Sequence, residues 1–162
     1  MKETKKLNIA ILGYGKMGKL IAQFAKERGH HISFIANSSN KDFAASELKE
    51  SDVAIEFSVP QSAFSNISKC LEANIPVAIG TTGWYNQLDE IIEITKSQNG
   101  CILPATNFSV GVNIFFEINK HLATLMDQQP QYDVSITETH HTQKLDAPSG
   151  TAITLAEGVL EK

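Results

Sequence analysis

The feature that most constrains the fold is an alternation of short apolar runs with longer segments of helical spacing. The first run is LNIAIL at 7–12, which a glycine ends, and KMGKLIAQFAKERG follows with helical spacing and a glycine stop. Four further apolar runs come later: HISFIA, VAIEFS, PVAIG and CILPA. Strands that alternate with helices pair in parallel, because each helix carries the chain back across the sheet. The sequence therefore predicts an α/β fold with a doubly wound parallel sheet.

The turn after the first run carries the pattern GxGxxG. Its residues are Gly13, Tyr14, Gly15, Lys16, Met17 and Gly18. Between a strand and a helix, the first glycine allows a tight turn, the second lets a pyrophosphate approach the backbone, and the third allows close helix–strand packing. The helix N-terminus then stabilises the phosphate charge. This context favours dinucleotide binding in a Rossmann-like domain over a glycine turn that serves packing alone.

Asn37 stands at the end of the second predicted strand, where dinucleotide-binding domains commonly carry an acidic residue for the ribose hydroxyls. An asparagine can still hydrogen-bond a ribose, and the missing carboxylate removes a repulsion against a 2′-phosphate. Ser38, Ser39 and Lys41 could donate hydrogen bonds to such a phosphate or form an ordinary polar loop. The sequence therefore leaves both NADH and NADPH open as the cofactor.

Small and polar residues follow the fourth and fifth predicted strands. They are Gly80, Thr81 and Thr82 after the fourth strand, and Ala105, Thr106, Asn107 and Phe108 after the fifth. Ligands of open α/β sheets bind at the carboxyl ends of the strands. We therefore expect these residues to contact the cofactor, although each segment could also be a plain turn.

The pattern changes after residue 108. A long helical segment over 109–128 precedes residues 132–138, which alternate as in a strand with one buried face, and a last helical segment spans 151–162. A lone strand of this kind needs pairing partners. We therefore expect a dinucleotide-binding domain at 1–108 and, at 109–162, an incomplete beginning of an α+β substrate-binding domain. Other subunits, or a longer protein of which this chain is a fragment, would supply the partners.

Charge, hydropathy and cysteine content exclude several function classes. The 14 basic and 18 acidic residues give a net charge of -4, and no basic stripe could follow a nucleic-acid backbone. No apolar run approaches the roughly 18 residues of a membrane span, and the N-terminus lacks the apolar region of a signal peptide. Cys70 and Cys101 stand apart from other potential ligands, which predicts two reduced, buried thiols. We expect a cytoplasmic protein that contacts neither nucleic acid nor membrane.

The densest group of chemically active side chains lies at 138–151. On an extended segment Glu138 and His140 would face one side and His141 the other, which suggests different roles for the two histidines. Imidazole titrates near neutral pH and Lys144 brings a cation. The group could therefore both move a proton and attract an anionic substrate.

The start of the last helical segment fits an anion site. Ser149 is a natural helix N-cap, and the amides of Gly150 and Thr151 would bind a carboxylate. A solvated polar loop before a capped helix is the plainer alternative. A metal site of two histidines and a glutamate is the other, but it lacks the ligand spacing usual for zinc. We expect no metal.

Taken in order, GYGKMG, GTTG, ATNFSVGVN and ETHHTQKLDAPSGTA resemble the dihydrodipicolinate reductase (4-hydroxy-tetrahydrodipicolinate reductase) family. The resemblance runs from Leu7 almost to Lys162, and the chain meets every fixed position of E-x-H-H-x-x-K-x-D-A-P-S-G-T-A. It implies an oxidoreductase of lysine and diaminopimelate biosynthesis that uses NADH or NADPH to reduce a cyclic, unsaturated dicarboxylate imine. It also implies a longer chain, whose further strands complete the second sheet and build a homotetramer.

Residue roles follow from this resemblance by position. It implies that His140 is the proton donor or acceptor and that Lys144 is a second proton donor. The residues expected to hold the substrate are His141, Ser149, Gly150 and Thr151. Hydride addition to a conjugated imine leaves electron density that a proton must quench, so a positioned acid and a cation fit the reaction. Asn37 departs from the family's usual acidic residue, so the resemblance does not imply a strict preference for NADH.

Two alternatives remain at the level of sequence. A non-catalytic NAD(P)-binding module would hold the dinucleotide, but it has no use for an acid beside a carboxylate site. Another Rossmann oxidoreductase could act on sugars or amino-acid semialdehydes, but the helix start APSGT favours a dicarboxylate.

Overall fold

A computed structural model of the chain describes residues 5–140, 142 and 147–161. The chain divides into two compact units, Met1–Ala105 and Thr106–Lys162. The division falls close to residue 108, where the alternation of predicted strands and helices ends.

Five parallel strands form the sheet of the first unit. They are β1 (Asn8–Leu12), β2 (His31–Ala36), β3 (Val53–Glu56), β4 (Val77–Ile79) and β5 (Ile102–Pro104). Their order across the sheet is β2-β1-β3-β4-β5, and each neighbouring pair is parallel. This arrangement confirms the predicted Rossmann-like doubly wound sheet. Because β2 and β3 flank β1 on opposite sides, the strand order reverses at β1, where open sheets bind their ligands.

Three helices connect these strands. They are α1 (Lys16–Glu27), α2 (Pro60–Glu72) and α3 (Leu88–Ser97), with short 3-10 turns at Ala45–Leu48 and Tyr85–Gln87. The short helix predicted in DFAASELKE, which connects β2 to β3, is the first of these 3-10 turns.

The residues of β1 alternate between two apolar clusters. Ile9 and Ile11 pack with residues of α1, whereas Ala10 and Leu12 belong to a larger cluster with residues of α2 and α3. All four are at most 5% exposed. A strand that is buried on both faces reads as a continuous apolar run, which explains why LNIAIL shows no polar alternation.

The two cysteines lie in different surroundings. Cys70 is buried in α2, where burial and, secondarily, the charge of Glu56 raise the pKa of its thiol to about 12. Cys101 is exposed just before β5, at the end of the strand order. The prediction of two buried thiols is therefore wrong for Cys101, because an edge strand has a neighbour on one side only.

The second unit contains two helices that pack through small and polar contacts. They are α4 (Val110–Met126) and α5 (Gly150–Leu160). Asn119 Nδ2 of α4 donates to the Leu155 carbonyl of α5 at 2.9 Å. Gly158 of α5 is buried, and a Cβ at that position would lie 3.1 Å from Lys120 Cγ. The absence of a side chain at Gly158 thus lets the two helices approach closely.

The strand predicted at 132–138 is not formed. Residues 131–140 have no strand pairing, and Tyr132, Val134 and Ile136 are 66, 63 and 46% exposed. Hydrogen bonds to a neighbouring strand hold a strand in place, and the described part of this unit provides no such neighbour. The alternating pattern is therefore present in the sequence without a sheet for it to join.

Helix α4 also exposes large apolar side chains. Those more than half exposed are Val110, Ile114, Phe115, Ile118, Leu122 and Leu125. Phe116 is the one residue of α4 that is buried. Among the helices that the structure describes, none has the length and hydropathy needed to cross a membrane. Contacts within the described residues therefore leave an apolar face of α4 uncovered.

Candidate functional site

Close backbone contacts hold the glycine turn after β1. Gly13 has a φ of +97°, and its amide donates to the Ala36 carbonyl at 3.0 Å. A Cβ at Gly13 would lie 2.2 Å from the Phe57 carbonyl oxygen, and one at Gly18 would lie 1.9 Å from the Gly13 carbonyl oxygen. Both positions therefore require glycine, the first for the turn and the second for helix packing.

Gly15 lies in open space instead. Apart from Gly15 and its two chain neighbours, no residue of the described chain has an atom within 4 Å of a Cβ built at this position. Gly15 is also the N-cap of α1, and it has no side chain to cap the helix amides. First-turn amides lack intrahelical acceptors, and the helix dipole attracts anions to them. A phosphate group can therefore approach the start of α1 closely.

A pocket of about 480 Å³ opens beside this turn. It is lined by residues 13–15, 36–38 and 57–59, together with Lys41, Ser62 and Asn66. The first three segments follow β1, β2 and β3, whose carboxyl ends meet at this edge of the sheet. The structure thus brings together Gly13, Tyr14, Gly15 and Asn37, four of the residues expected to bind the cofactor.

The remaining residues of the fingerprint lie on α1, outside the pocket lining. Lys16 and Met17 begin the helix, and Gly18 is buried against the turn. Lys16 and Met17 can contribute backbone amides to an anion at the helix start, whereas Gly18 contributes close packing.

Asn37 organises its own loop. Its Oδ1 accepts hydrogen bonds from the Ser39 backbone amide at 2.8 Å and from the Ser39 hydroxyl at 2.6 Å. The backbone amide of Asn37 donates to Asn40 Oδ1 at 2.7 Å. The asparagine oxygen is thereby engaged within the turn. None of the described lining residues is acidic, and Lys41 brings a cation. The described lining of this end of the pocket therefore carries a cation and no carboxylate.

The end of β3 is the part of the pocket that the sequence reasoning missed. It contributes Phe57, Ser58 and Val59, and α2 adds Ser62 and Asn66. VAIEFS is readily recognised as a strand, but its place next to β1 depends on the order of strands in space. The rule that ligands bind where the order reverses would have identified this loop once the order was known.

A buried carboxylate lies beneath this loop. Glu56 is fully buried, and its Oε1 accepts hydrogen bonds from the Ser58 hydroxyl, the Ser58 amide at 3.2 Å and Asn66 Nδ2 at 3.3 Å. Thr81 Oγ1 also accepts from the Ser58 amide, at 2.8 Å. The other carboxylate oxygen, Oε2, has no hydrogen-bond partner among the described residues. Glu56 and Thr81 therefore fix the position of Ser58 in the pocket wall.

The loop after β4 supports the pocket and does not line it. A Cβ at Gly80 would lie 2.0 Å from Phe57 Cζ, so glycine makes room for this ring. Thr81 is buried, and its carbonyl accepts from Trp84 Nε1 at 2.8 Å. Thr82 is half-buried. The expected cofactor contacts of residues 80–82 stay predictions.

The segment after β5 crosses the division between the units, which falls after Ala105. In the second unit the Thr106 hydroxyl lies 3.0 Å from that of Thr154, and Asn107 Nδ2 donates to Thr151 Oγ1 at 3.5 Å. Phe108 is exposed. Thr106 and Asn107 therefore contact α5, and the cofactor contacts expected of residues 105–108 stay predictions.

In the second unit Glu138 links His140 to the start of α5. Glu138 Oε2 lies 2.9 Å from His140 Nε2. The same carboxylate accepts hydrogen bonds from the Ser149 amide at 2.9 Å and the Ser149 hydroxyl at 2.6 Å. The side chains of Glu138 and His140 are therefore in direct contact, although the segment that carries them forms no strand.

These hydrogen bonds stabilise the charged form of Glu138. The Ser149 hydroxyl, then His140 and then the Ser149 amide lower the pKa of the Glu138 carboxyl to about 2. Glu138 is therefore a carboxylate at neutral pH. A carboxylate beside an imidazole stabilises the imidazolium that forms when the ring takes up a proton.

The beginning of α5 has the cap that the sequence predicts. The Ser149 hydroxyl oxygen accepts from the Ala152 amide at 3.1 Å. Gly150 and Thr151 occupy the first turn, where amides have no intrahelical acceptor and a carboxylate is favourably placed. The expected binding of a substrate carboxylate by these amides stays a prediction.

His141 and Lys144 lie outside the described residues, so their expected roles also stay predictions. Within the part of the chain that the structure describes, no group of three or more His, Cys, Asp or Glu side chains could hold a metal ion.

The chain matches two sequence models of one family. Residues 7–108 match the model described as dihydrodipicolinate reductase, N-terminus. Residues 111–162 match the model described as dihydrodipicolinate reductase, C-terminus. The two matches together cover almost the whole chain.

Individual relatives agree with these matches. The 4-hydroxy-tetrahydrodipicolinate reductase of Christiangramia forsetii is 49% identical, over 96% of this chain and 65% of the relative. The Staphylococcus epidermidis protein of the same name is 35% identical with the same coverage. The solved structure of dipicolinate-bound dihydrodipicolinate reductase from Paenisporosarcina sp. TG-14 has a TM-score of 0.64 and 25% identity, over 97% of this chain and 66% of that one. This chain, which spans 65% of the length of both curated relatives, belongs to the dihydrodipicolinate reductase family.

Proposed function

We propose that this chain binds the cofactor and supplies a proton in a 4-hydroxy-tetrahydrodipicolinate reductase. The reaction reduces 4-hydroxy-tetrahydrodipicolinate (dihydrodipicolinate) to tetrahydrodipicolinate in lysine and diaminopimelate biosynthesis. The observation that carries the proposal is the open, uncapped N-terminus of α1 at Gly15, in a chain of this family. A sensor or binding module would use the same pocket, so the activity assay below separates the two.

The pocket of the first unit suits the phosphates of a dinucleotide. Gly13 holds the backbone in a turn with positive φ, and Gly15 leaves the approach to the helix amides clear. Lys16 and Met17 provide the amides of the first helical turn. When bound, the reduced nicotinamide supplies the hydride. The protein's own task in this unit is to bind and orient it.

For this pocket we propose that NADPH binds at least as tightly as NADH. No described lining residue is acidic, so a 2′-phosphate meets no repelling carboxylate there. Lys41 lines the same end of the pocket and can pair with the phosphate. The Asn37 oxygen is engaged by Ser39 and is therefore less suited to accept from a ribose hydroxyl.

His140 is the proposed proton donor. Reduction of a conjugated imine leaves electron density that a proton must quench, and an imidazole next to a carboxylate is suited to this work near neutral pH. Lys144 is proposed as a second proton donor on the strength of the family string. The residues proposed to hold the two carboxylates of the small-molecule substrate are His141, Ser149, Gly150 and Thr151.

We also propose that the full-length protein is a homotetramer. The exposed apolar face of α4, together with Tyr132, Val134 and Ile136, offers surface whose burial between subunits would be favourable. The cytoplasm is the proposed location, because a reducing compartment suits the two free cysteines.

Titration of the purified protein with NADH and NADPH tests the proposal. We expect both to bind, and pyridine-2,6-dicarboxylate, a planar substrate mimic, to tighten nucleotide binding. Oxidation of the nucleotide by 4-hydroxy-tetrahydrodipicolinate completes the test. Binding without turnover in the full-length protein would support a non-catalytic module, and turnover only with semialdehydes would support another Rossmann oxidoreductase. Failure to bind either nucleotide would contradict the proposed function.

A further inference from the structure

The position of Glu138 decides which nitrogen of His140 carries a proton. Glu138 Oε2 lies 2.9 Å from His140 Nε2. Because the pKa of Glu138 is lowered to about 2, its carboxylate accepts hydrogen bonds and has no proton to donate at neutral pH. The proton in this contact must therefore belong to Nε2. In the neutral ring, Nδ1 is then the nitrogen with the free electron pair.

Ser149 keeps the carboxylate in this position. Its amide lies 2.9 Å from Glu138 Oε1 and 3.3 Å from Oε2, and its hydroxyl donates to Oε2 at 2.6 Å. Ser149 is itself buried, and it caps α5 through the Ala152 amide. Glu138 cannot turn away from His140 without losing its hydrogen bonds to a buried residue at a helix start.

We propose that Glu138 is a positioning residue that holds His140 in the Nε2–H form, so that Nδ1 exchanges the proton with the substrate. The inference rests on the proposed function, because it assumes that His140 is the proton donor. In the charged ring both nitrogens carry protons. The Nδ1–H bond breaks, its electron pair stays on Nδ1, and the proton bonds to the substrate atom that gained electrons from the nicotinamide hydride. The neutral ring that remains keeps its Nε2–H bond to Glu138.

This role differs from simple charge stabilisation, which any nearby carboxylate would supply. Glu157 provides the comparison, since it lies on α5 and lines the same groove of about 390 Å³ as Glu138. A carboxylate that only tunes the local charge could sit at either position. A carboxylate that fixes the ring must touch it, and Glu138 does.

Nitrogen-15 NMR of the histidine rings tests the inference without relying on catalysis. In the purified protein, at a pH high enough for the His140 ring to be neutral, we expect this ring to show a protonated Nε2 and a bare Nδ1. The signal is assigned by its loss in His140→Gln. In Glu138→Gln the new amide can donate to Nε2, so the Nδ1–H form should become populated. Glu157→Gln removes the same charge from the same groove and should leave the ring unchanged.

Kinetics of the full-length protein supply the second measurement. Glu138→Gln should lower kcat by between about 10- and 10⁴-fold, the range spanned by carboxylate partners of metal-bound and catalytic histidines, with little change in the KM for nucleotide. Glu138→Asp, which keeps the charge, should recover part of the rate.

The possible failures are distinguishable. A wild-type ring with a bare Nε2, or a ring that Glu138→Gln does not alter, overturns the inference and leaves the reductase assignment intact. A lower melting temperature with unchanged kcat makes Glu138 purely structural and also overturns it. Absence of any reduction by the wild-type protein overturns the proposed function, while the NMR result still decides the tautomer. If Glu138→Gln does not fold, the wild-type spectrum and Glu138→Asp decide the question.

Discussion

The two units of this chain shield their apolar residues from water to different degrees. In the first unit Ile11 and Leu12 are fully buried, because helices cover both faces of the sheet. In the second unit Ile114, Ile118 and Leu122 are more than half exposed. Burying one large aliphatic side chain stabilises a fold by about 1.5–3 kcal/mol. The proposed cofactor pocket therefore lies beside a well-buried core. The proposed proton donor belongs to a unit in which large apolar side chains stay exposed to solvent.

The largest expected effect is a loss of kcat in a variant of the second unit that leaves nucleotide binding by the first unit unchanged. His140→Gln should lower kcat by roughly 10²- to 10⁴-fold, the usual contribution of general acid catalysis. The dissociation constants of NADH and NADPH should change little, because the nucleotide pocket is lined by residues of the first unit. Turnover and fluorescence titration of the same preparation measure both quantities. An unchanged rate would remove His140 from the reaction.

A pair of glycine substitutions compares how much an added methyl group destabilises each of the two units. Gly13→Ala places a Cβ 2.2 Å from the Phe57 carbonyl oxygen at a φ of +97°, so it should lower the free energy of unfolding by about 3 kcal/mol. The Cβ of Gly158→Ala meets side-chain atoms only, Lys120 Cγ at 3.1 Å and Asn119 Nδ2 at 3.3 Å, which must shift by a few tenths of an ångström, and alanine favours a helix. Its effect should stay within about 1 kcal/mol. Urea unfolding of both variants checks the contrast, and equal losses would contradict it.

A smaller effect is expected on cofactor choice. Lys41→Gln should weaken NADPH about tenfold, or about 1.4 kcal/mol, and leave NADH unchanged, because Lys41 is the cation among the described residues that line the pocket. Asn37→Asp should shift the preference toward NADH by repelling a 2′-phosphate.

Lys49→Gln, at an exposed lysine outside the pocket lining, is the matched control for Lys41. Equal NADPH affinity in Asn37→Asp would show that the end of β2 is not the contact of the ribose.

The smallest expected effect is a local response of the second unit to acid. The pKa of Glu138 is lowered in the folded protein from 4.5 to about 2, so its stabilising contribution is complete above pH 4.5 and is lost as the pH falls to about 2. The protection factor of the Ala152 amide, which corrects the observed exchange rate for the intrinsic effect of pH, should fall over this interval, since Ser149 links that amide to Glu138. Glu138→Gln should remove the pH dependence of this protection factor. A response of equal size in that variant would assign the effect to other carboxyls.

Much of the first unit could be predicted because the signals are local. LNIAIL is apolar throughout since β1 is buried on both faces. Gly13 and Gly18 stand at positions where a side chain would collide with backbone oxygen atoms. The contribution of residues 57–59 could not be predicted in the same way, because it depends on β3 lying next to β1.

The second unit illustrates the limit of local signals. The alternation in YDVSITE predicted a strand, but alternation alone cannot supply a neighbouring strand, so no strand forms. The N-cap at Ser149 could be predicted from the residue type before a helix. Its contact with Glu138, 11 residues earlier, depends on the path of the intervening loop.

The unequal environments of the two cysteines make this chain suited to site-selective labelling. Thiolate is the form that reacts with maleimides, and the buried thiol of Cys70, with its pKa near 12, is protected from such reagents in the folded state. Cys101 is accessible at the margin of the sheet. A fluorophore can therefore be attached at Cys101 without mutagenesis. The slower modification of Cys70 then measures the rate at which the buried core becomes exposed to solvent.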